Sequence, residues 1–196
     1  MYGIDITTPA SGSPVDLDLL KTHLRINGDA EDDLLEEYLA AAVATFEADT
    51  RRPVLATVFR QYLTDWPAAI VLGRGGVTAV GGVYKFLANG STSAVTGYRT
   101  DLRTPPARVI FDIAIPDLVE TAGGYTVIPV GYVDFTAGWA NAAAVPPTVA
   151  VALKLLAGHF YANREAFHGE SLEELPLGWK SVCDRYRLGL SGDWGQ

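Results

Sequence analysis

The chain has 196 residues, 48% of them hydrophobic and 19% charged, with a formal net charge of −8. The length suits one domain, and the composition is that of a globular rather than a disordered protein. The negative charge argues against an electrostatic grip on nucleic acid, because such binding needs clustered lysine and arginine, although an acidic wall would let DNA slide past.

The N-terminal quarter is predicted to be helical after an extended arm. The first fifteen residues, rich in Thr, Ser, Gly and Pro, form that arm. A short helix is predicted from about Asp16 to Arg25 and a longer one from about Ala30 to Thr50, with Asp29 as its cap. Six of the nine residues from Asp29 to Glu37 are acidic, which matches the positive end of a helix dipole.

The hydrophobic period changes after Arg52-Pro53 and indicates a β block. Its β-branched and aromatic runs are separated by Gly, Pro, Asn and Asp residues, as expected for strands joined by turns. The predicted strands lie within Val54–Leu63, Ala69–Leu72, Val77–Leu87, Arg108–Ile113 and Tyr125–Thr136.

A long helix is predicted from Pro146-Pro147 to about His168, since proline is tolerated in the first turn of a helix. Its apolar residues occupy more than one face, and a helix of this kind must be buried on more than one side. A neighbouring subunit is therefore expected to cover part of it. The predicted subunit-interface residues are Val151, Leu155, His159 and Ala162.

The last segment, 175–196, is predicted to form one short helix around Trp179–Tyr186 before a glycine-rich end. It is too short to fold by itself, and large apolar residues on such a terminus are typical of anchors for a partner. The predicted anchors are Trp179, Tyr186, Leu188, Leu190 and Trp194.

Helices and strands are segregated along the chain, which predicts an α+β fold rather than alternating βαβ units. We expect a small helical bundle, made of two N-terminal helices and one long C-terminal helix, with an inserted β block and an extended C-terminal tail. The whole chain, 1–196, is predicted to be a single domain. Its segments are the N-terminal helices at 16–53, the β block at 54–136, the long helix at 146–168 and the tail at 175–196.

No pattern in the chain predicts catalysis, a metal site or a cofactor. Gly73-Arg74-Gly75-Gly76 lacks the lysine and hydroxyl of a phosphate loop, and the three histidines are far apart. The single cysteine, Cys183, excludes an internal disulfide and follows no nucleophile pattern. No secretory signal or membrane span is predicted, so we expect a soluble cytosolic protein that is not an enzyme.

Two stretches carry motifs in a fixed order. The first contains Lys21-Thr22-His23-Leu24-Arg25, an acidic turn from Asp29, and the helix exit Thr50-Arg51-Arg52. The second contains residues 133–139, Val-Asp-Phe-Thr-Ala-Gly-Trp, then Val145-Pro146-Pro147 and the helix end Tyr161-Ala162-Asn163-Arg164-Glu165. Together they resemble the K-x-H-L-R, T-x-R and Y-x-A-G-Y … V-P … Y-x-N-R-E pattern of head–tail connector, or adaptor, proteins of long-tailed bacteriophages and phage-like gene transfer agents. Trp139 stands where that family often has tyrosine.

The resemblance implies a structural subunit of a closed ring, dodecameric in studied relatives, which joins the capsid portal to the tail neck. Implied partners are further copies of the chain, the portal, which the tail would bind, and a downstream stopper or tail protein. DNA would pass through without specific binding, and no membrane is involved. The protein would be made in the bacterial cytoplasm and reside in the neck of a virion or phage-like particle. The densest acidic cluster is then the predicted lining of the DNA channel: Glu31, Asp32, Asp33 and Glu36.

Two alternatives stay open from the sequence. One is another neck component, such as a stopper or tail terminator, although the N-terminal helices argue against those mostly β architectures. The other is a small phage hydrolase, since an active site can assemble from residues distant in sequence.

Overall fold

The computed structural model describes residues 3–112, 121–122, 125–126, 129–163 and 178–189. The chain forms two compact units. The helical unit comprises Ser11–Leu55 and Trp139–Arg187, and the β unit comprises Met1–Ala10, Ala56–Gly138 and Leu188–Gln196. That the whole chain acts as one adaptor domain stays a prediction.

Four helices build the described part of the helical unit. They are α1 (Leu17–Leu24), α2 (Asp32–Thr50), α3 (Pro147–Ala162) and α4 (Trp179–Tyr186). Asp16 caps α1 by accepting a bond from the Asp18 amide at 2.8 Å. Helix α2 begins two residues later than predicted, and Asp29 does not cap it, because its carboxylate bonds Lys21 instead. Helix α3 ends at Ala162, before the predicted end near His168, with Asn163 at its C-cap.

The core of the helical unit lies where one face of each helix meets the others. Helices α2 and α3 contribute most of it, with side chains that recur at helical spacing. The residues that are no more than 4% exposed include Leu35, Leu39, Phe46, Val149, Leu153 and Leu156, and α1 adds Leu20.

The described part of the β unit contains ten strands, β1 to β10, and every pairing between them is antiparallel. A five-stranded sheet has the order β1-β2-β10-β4-β5, a three-stranded sheet the order β3-β7-β6, and β8 pairs with β9. The strands are β1 (Ile4–Thr8), β2 (Thr57–Leu63), β3 (Ala69–Val71), β4 (Val77–Phe86), β5 (Thr92–Ala94), β6 (Tyr98–Asp101), β7 (Arg108–Phe111), β8 (Thr121–Ala122), β9 (Tyr125–Thr126) and β10 (Gly131–Ala137).

The two larger sheets share a second apolar core. Strand β2 alternates strictly between buried and half-buried residues, as expected for one face packed inward. Phe59 and Phe135 stack across β2 and β10 with ring centroids 5.7 Å apart, and Val109 of β7 is fully buried in the same cluster. Gly131 is required on β10, since an added Cβ would lie 2.3 Å from the Tyr84 carbonyl oxygen.

The N-terminal arm differs from its prediction, because residues 4–8 form strand β1 along the edge of β2. Four of its five residues are exposed, and its apolar alternation is limited to Ile4 and Ile6. The glycine-rich run from Gly73 lies between β3 and β4, and the amide of Gly73 donates to the Gln61 side-chain oxygen at 2.9 Å. The fold is therefore α+β, as predicted, with a β block inserted in a helical bundle.

The chain leaves the helical unit and returns to it at neighbouring points. Leu55 and Trp139 form a parallel bridge, and the Trp139 amide donates to the Val54 carbonyl at 3.0 Å. These backbone contacts join the two points of the helical unit between which the β block is inserted in the sequence.

Candidate functional site

The two motif stretches meet at the exit of α2. The Thr50 hydroxyl donates to the Phe46 carbonyl at 2.6 Å and accepts from the Arg52 amide at 3.2 Å, which turns the chain sharply. The Arg52 guanidinium then lies over the Trp139 ring, 4.3 Å from its centroid, and 5.6 Å from that of Tyr186. Burial lowers the pKa of Arg52, and the aromatic faces compensate the cation for lost water. The T-x-R motif and the tryptophan after Ala-Gly thus form one stacked contact.

The acidic turn is tied to α1 and α3 by side-chain bonds. Lys21 Nζ lies 2.7 Å from Asp29 Oδ1 and 2.8 Å from Asp32 Oδ1. Hydrogen bonds to these two carboxylates raise the pKa of Lys21, and the bond to Lys21 lowers the pKa of Asp29. The Tyr161 hydroxyl donates a short hydrogen bond to Glu31.

Of the four predicted channel-lining residues, two are thus engaged within the subunit. Glu31 and Asp32 bond Tyr161 and Lys21, whereas Asp33 and Glu36 are exposed to solvent. Sequence reasoning treated the four as equivalent, because the partners of the first two are distant along the chain or lie on another helix.

Three of the five predicted tail anchors are packed within the chain, and the role of the tail in portal binding stays a prediction. Trp179 is 4% exposed, its indole N–H donates to Asp49 Oδ2 at 2.9 Å, and its ring meets Phe46 edge-on. Tyr186 packs against Trp139, with centroids 5.6 Å apart. Leu188 is buried as well, while Leu190 and Trp194 lie outside the described residues.

The predicted interface residues of α3 share one face of the helix, since their spacing is four, four and three residues. Val151 is 45% exposed and Leu155 41%, and Ala162 is exposed further along. His159 is half-buried, with Nδ1 3.2 Å from the Asn163 side-chain amide nitrogen. The four residues therefore lie together on the surface of the helical unit, and their interface role stays a prediction.

A shallow apolar groove runs beside this face. It is lined by Thr148, Val151, Ala152 and Leu155 of α3 and by Gly178, Trp179 and Val182 at α4. We call these seven residues the α3–α4 groove. Adjacent large apolar side chains at a recess are typical of a protein–protein contact.

Sequence analysis missed a further exposed apolar residue on the helical unit, Leu19, which is 58% exposed. The exposure of Leu19 could have been predicted from the helical spacing, because Leu17, Leu20 and Leu24 form the inward stripe of α1 and Leu19 lies off it. The β unit likewise exposes Ile6 of β1, which is 60% exposed.

The described residues contain no group of three or more His, Cys, Asp or Glu side chains placed to hold a metal ion. Cys183 is 1% exposed, and its burial, with the nearby Asp49 carboxylate, raises the pKa of the thiol to about 11. Such a thiol is protonated at neutral pH and is a poor nucleophile. In the described part of the chain, every helix is too short or too polar to cross a membrane.

Comparison with known proteins supports a single assignment. Residues 14–72 match the family model of phage gp6-like head–tail connector proteins. A search of curated protein sequences found no significant match.

Solved structures match along almost the whole chain. A chain in the neck of an empty gene transfer agent particle, computed with C6 symmetry, is 27% identical with a TM-score of 0.78. Chains from the virion of a native gene transfer agent particle and from a native neck computed with C12 symmetry are 26% and 25% identical, with TM-scores of 0.77 and 0.73. Each match covers 96% of both chains. The resemblance to head–tail connector proteins that the motifs predicted is therefore confirmed, and the chain has the fold of a gene transfer agent neck protein.

Proposed function

We propose that this protein is a structural subunit of a ring-shaped adaptor that joins the portal of a phage-like capsid to the tail neck. The observation that carries the proposal is the match over 96% of both chains to a protein of a particle neck. The symmetries of those necks, C6 and C12, support a closed ring of twelve copies. In this role the protein works by assembly rather than by catalysis, and it resides in the neck of the finished particle.

The ring proposal requires two different faces on each subunit, because heterologous contacts that close into a ring join unlike surfaces. The exposed stripe of α3, with Val151, Leu155, His159 and Ala162, supplies one of them. Its apolar side chains Val151 and Leu155 are exposed, whereas most other large apolar residues of the helical unit are buried or partly buried in its core.

We assign part of the DNA channel to Asp33 and Glu36, the two predicted lining residues that are exposed. Acidic side chains repel the phosphate backbone and so let DNA slide through. Replacing both by lysine is expected to retain DNA in the neck or slow its release, most strongly at low salt. Asp5→Lys with Asp65→Lys, two exposed carboxylates of the β unit, is the matched control. Unchanged release by the Asp33 and Glu36 variant at low salt would remove these residues from the channel.

The portal contact is assigned to residues 190–196, and within them to Leu190 and Trp194. Of the other predicted anchors, Trp179 and Leu188 are buried and Tyr186 is half-buried against Trp139, so they offer less surface for a portal contact. A chain truncated after Gly189 keeps α4 and is expected to fold but not to sediment with portal-bearing, tailless capsids. Wild-type sedimentation of that truncated chain would move the portal contact elsewhere. The side away from the portal would meet a stopper or tail protein.

The experiment that tests the function is deletion of the gene in a particle-producing strain, followed by imaging of the particles. We expect heads without tails and without a ring beneath the portal, and restoration of both by the full-length protein. Loss of a stopper would instead leave that ring in place, and loss of a hydrolase would leave tailed particles. Tailed particles assembled without this protein would overturn the proposal.

A further inference from the structure

The helical unit carries a projecting apolar residue and an apolar recess on different helices. Leu19 projects from α1 with more than half of its surface exposed, and it is not among the residues that line the α3–α4 groove. The groove has Val151 and Leu155 at its surface and Trp179 at its base, where the tryptophan is almost fully buried. A closed ring of one chain requires two complementary features of this kind on each copy.

The charges around the two features are opposite. Residues 11–37, which contain Leu19, hold eight acidic side chains against the basic Lys21 and Arg25. At the start of α1, the N-cap Asp16 and Asp18 lie three residues and one residue before Leu19, and both are exposed. Among the described residues 139–163 and 178–187, the basic side chains are Lys154, Lys180, Arg185 and Arg187, and the single acidic one is Asp184.

We propose that Leu19 of one copy inserts into the α3–α4 groove of the next copy, with Asp16 and Asp18 facing Lys154 and Lys180. The inference rests on the ring assembly proposed above and names the two surfaces that close it. Complementary charge brings the acidic face of one copy to the basic face of the next. It also disfavours contact between two like faces, since like charges placed together cost free energy. Burial of the leucine supplies the attraction.

Ile6 is the competing projection, because it is as exposed as Leu19. It lies on strand β1, where its neighbours in sequence are Asp5 and three uncharged residues, Thr7, Thr8 and Pro9. Its surroundings therefore offer one carboxylate to the lysines of the groove, whereas the start of α1 offers two, both within three residues before the leucine. The charge pattern favours Leu19.

The test is cysteine cross-linking in assembled particles with a short bismaleimide. The variant Leu19→Cys with Leu155→Cys is expected to give a ladder of covalent oligomers beyond the dimer, because each copy joins two neighbours. Each single variant should give no ladder. The native Cys183 contributes little background, since it is buried and protonated. The matched control is Ile6→Cys with Leu155→Cys, for which no ladder is expected.

Reactivity of the free subunit provides a second measurement. Leu19→Cys and Leu155→Cys should both react with a maleimide in the isolated chain and lose that reactivity in the particle. An unreactive Leu155→Cys in the isolated chain would mean that the groove is covered by the subunit itself, which would overturn the proposal.

A charge exchange covers the case in which the double-cysteine chain is not incorporated. Asp18→Lys is expected to lose incorporation into particles, and the added Lys180→Asp to regain it. Three outcomes would refute the pairing while leaving the ring itself intact. They are normal particles that show no ladder, a ladder with Ile6→Cys instead, and no rescue by Lys180→Asp. Absence of the wild-type chain from the neck would refute the proposed function instead.

Discussion

The helical unit and the β unit are each stabilised internally by a different kind of contact. In the helical unit, specific side chains join segments that are far apart in sequence, as in Trp179 with Asp49 and Tyr161 with Glu31. In the β unit, backbone ladders such as β2–β10–β4 carry much of the structure over an alternating apolar pattern. A ladder constrains the alternation of residues more than their identity. Most of the recognisable motif residues accordingly lie in the helical unit.

The strongest test of this comparison is the removal of one side chain that joins distant segments. Trp179→Ala deletes a buried indole and leaves the Asp49 carboxylate without its donor, so we expect a loss of about 3–5 kcal/mol in the free energy of unfolding. Trp179→Phe keeps most of the packing and should lose roughly 1–2 kcal/mol. Both are measured by urea unfolding of the full chain. A loss below about 1 kcal/mol for Trp179→Ala would show that α4 adds little to the helical unit.

Substitutions at two glycines compare how well the β unit and the helical unit tolerate an added methyl group. Gly131→Ala on β10 would place a Cβ 2.3 Å from the Tyr84 carbonyl oxygen and 2.6 Å from the Trp66 ring, neither of which yields easily. We expect it to cost about 3 kcal/mol. Gly158→Ala on α3 meets only the end of the flexible Leu24 side chain, at 2.8 Å.

For Gly158→Ala the strain is offset by a gain in helix propensity of about 1 kcal/mol, so the net change should be near zero. The same urea measurement compares the two variants. Equal losses of unfolding free energy in the two variants would contradict the view that the β unit tolerates an added methyl group less well than the helical unit.

A smaller effect is expected from a single hydroxyl in the helical unit. Tyr161→Phe removes the bond to Glu31 and keeps the ring, so the free energy of unfolding should fall by about 1 kcal/mol. Tyr38→Phe is the control, because the Tyr38 ring packs against Phe160 and Tyr161 and that packing is retained. If the two variants lose the same stability, the Glu31 bond contributes nothing specific.

The smallest effect is a pH-dependent one at Lys21. The bond to Lys21 lowers the folded pKa of Asp29, so it stabilises the fold above the unfolded pKa of about 3.9 and is lost as pH falls through the folded value. The raised pKa of Lys21 keeps the cation charged throughout that range. Lys21→Met should therefore be less stable than wild type at neutral pH, and the difference should shrink at low pH.

Thermal unfolding at several pH values measures this difference, with the exposed Lys180→Met as control. A difference between Lys21→Met and wild type that is unchanged at about pH 3, below the unfolded pKa of an aspartate, would show that packing of the lysine stem, rather than its charge, matters.

Much of the fold follows from the sequence, and the exceptions have physical causes. Helical periodicity and the prolines at 146 and 147 located α1, α2 and α3, and β-branched and aromatic runs between turn residues located β2 and β4. Strand β1 was missed because its alternation covers only Ile4 and Ile6, within a run whose Thr, Ser, Gly and Pro residues are typical of an extended arm. Strands β5 and β6 have only three and four residues, too few for a periodic pattern.

Part of the candidate site could also be predicted from the sequence, and part could not. The exposed face of α3 was predictable, because Val151 and Leu155 lie off the inward stripe of a helix that is apolar nearly all round. The burial of Trp179 could not be predicted, since its partner Asp49 is 130 residues away and no local pattern connects them. For the same reason, the sequence could not separate the engaged Glu31 and Asp32 from the exposed Asp33 and Glu36.

The bridge between Leu55 and Trp139 has a consequence for biosynthesis. Strands β1 to β10 are all available once Gly138 has left the ribosome, whereas α1 and α2 must wait for α3 and α4 to be translated. At a synthesis rate of about 5–20 residues per second, the apolar side of α2 stays uncovered for on the order of ten seconds. During that interval Leu39 and Phe46 are exposed to chaperones and to other nascent chains. The speed of translation through the β block therefore sets how long each new subunit is vulnerable to aggregation.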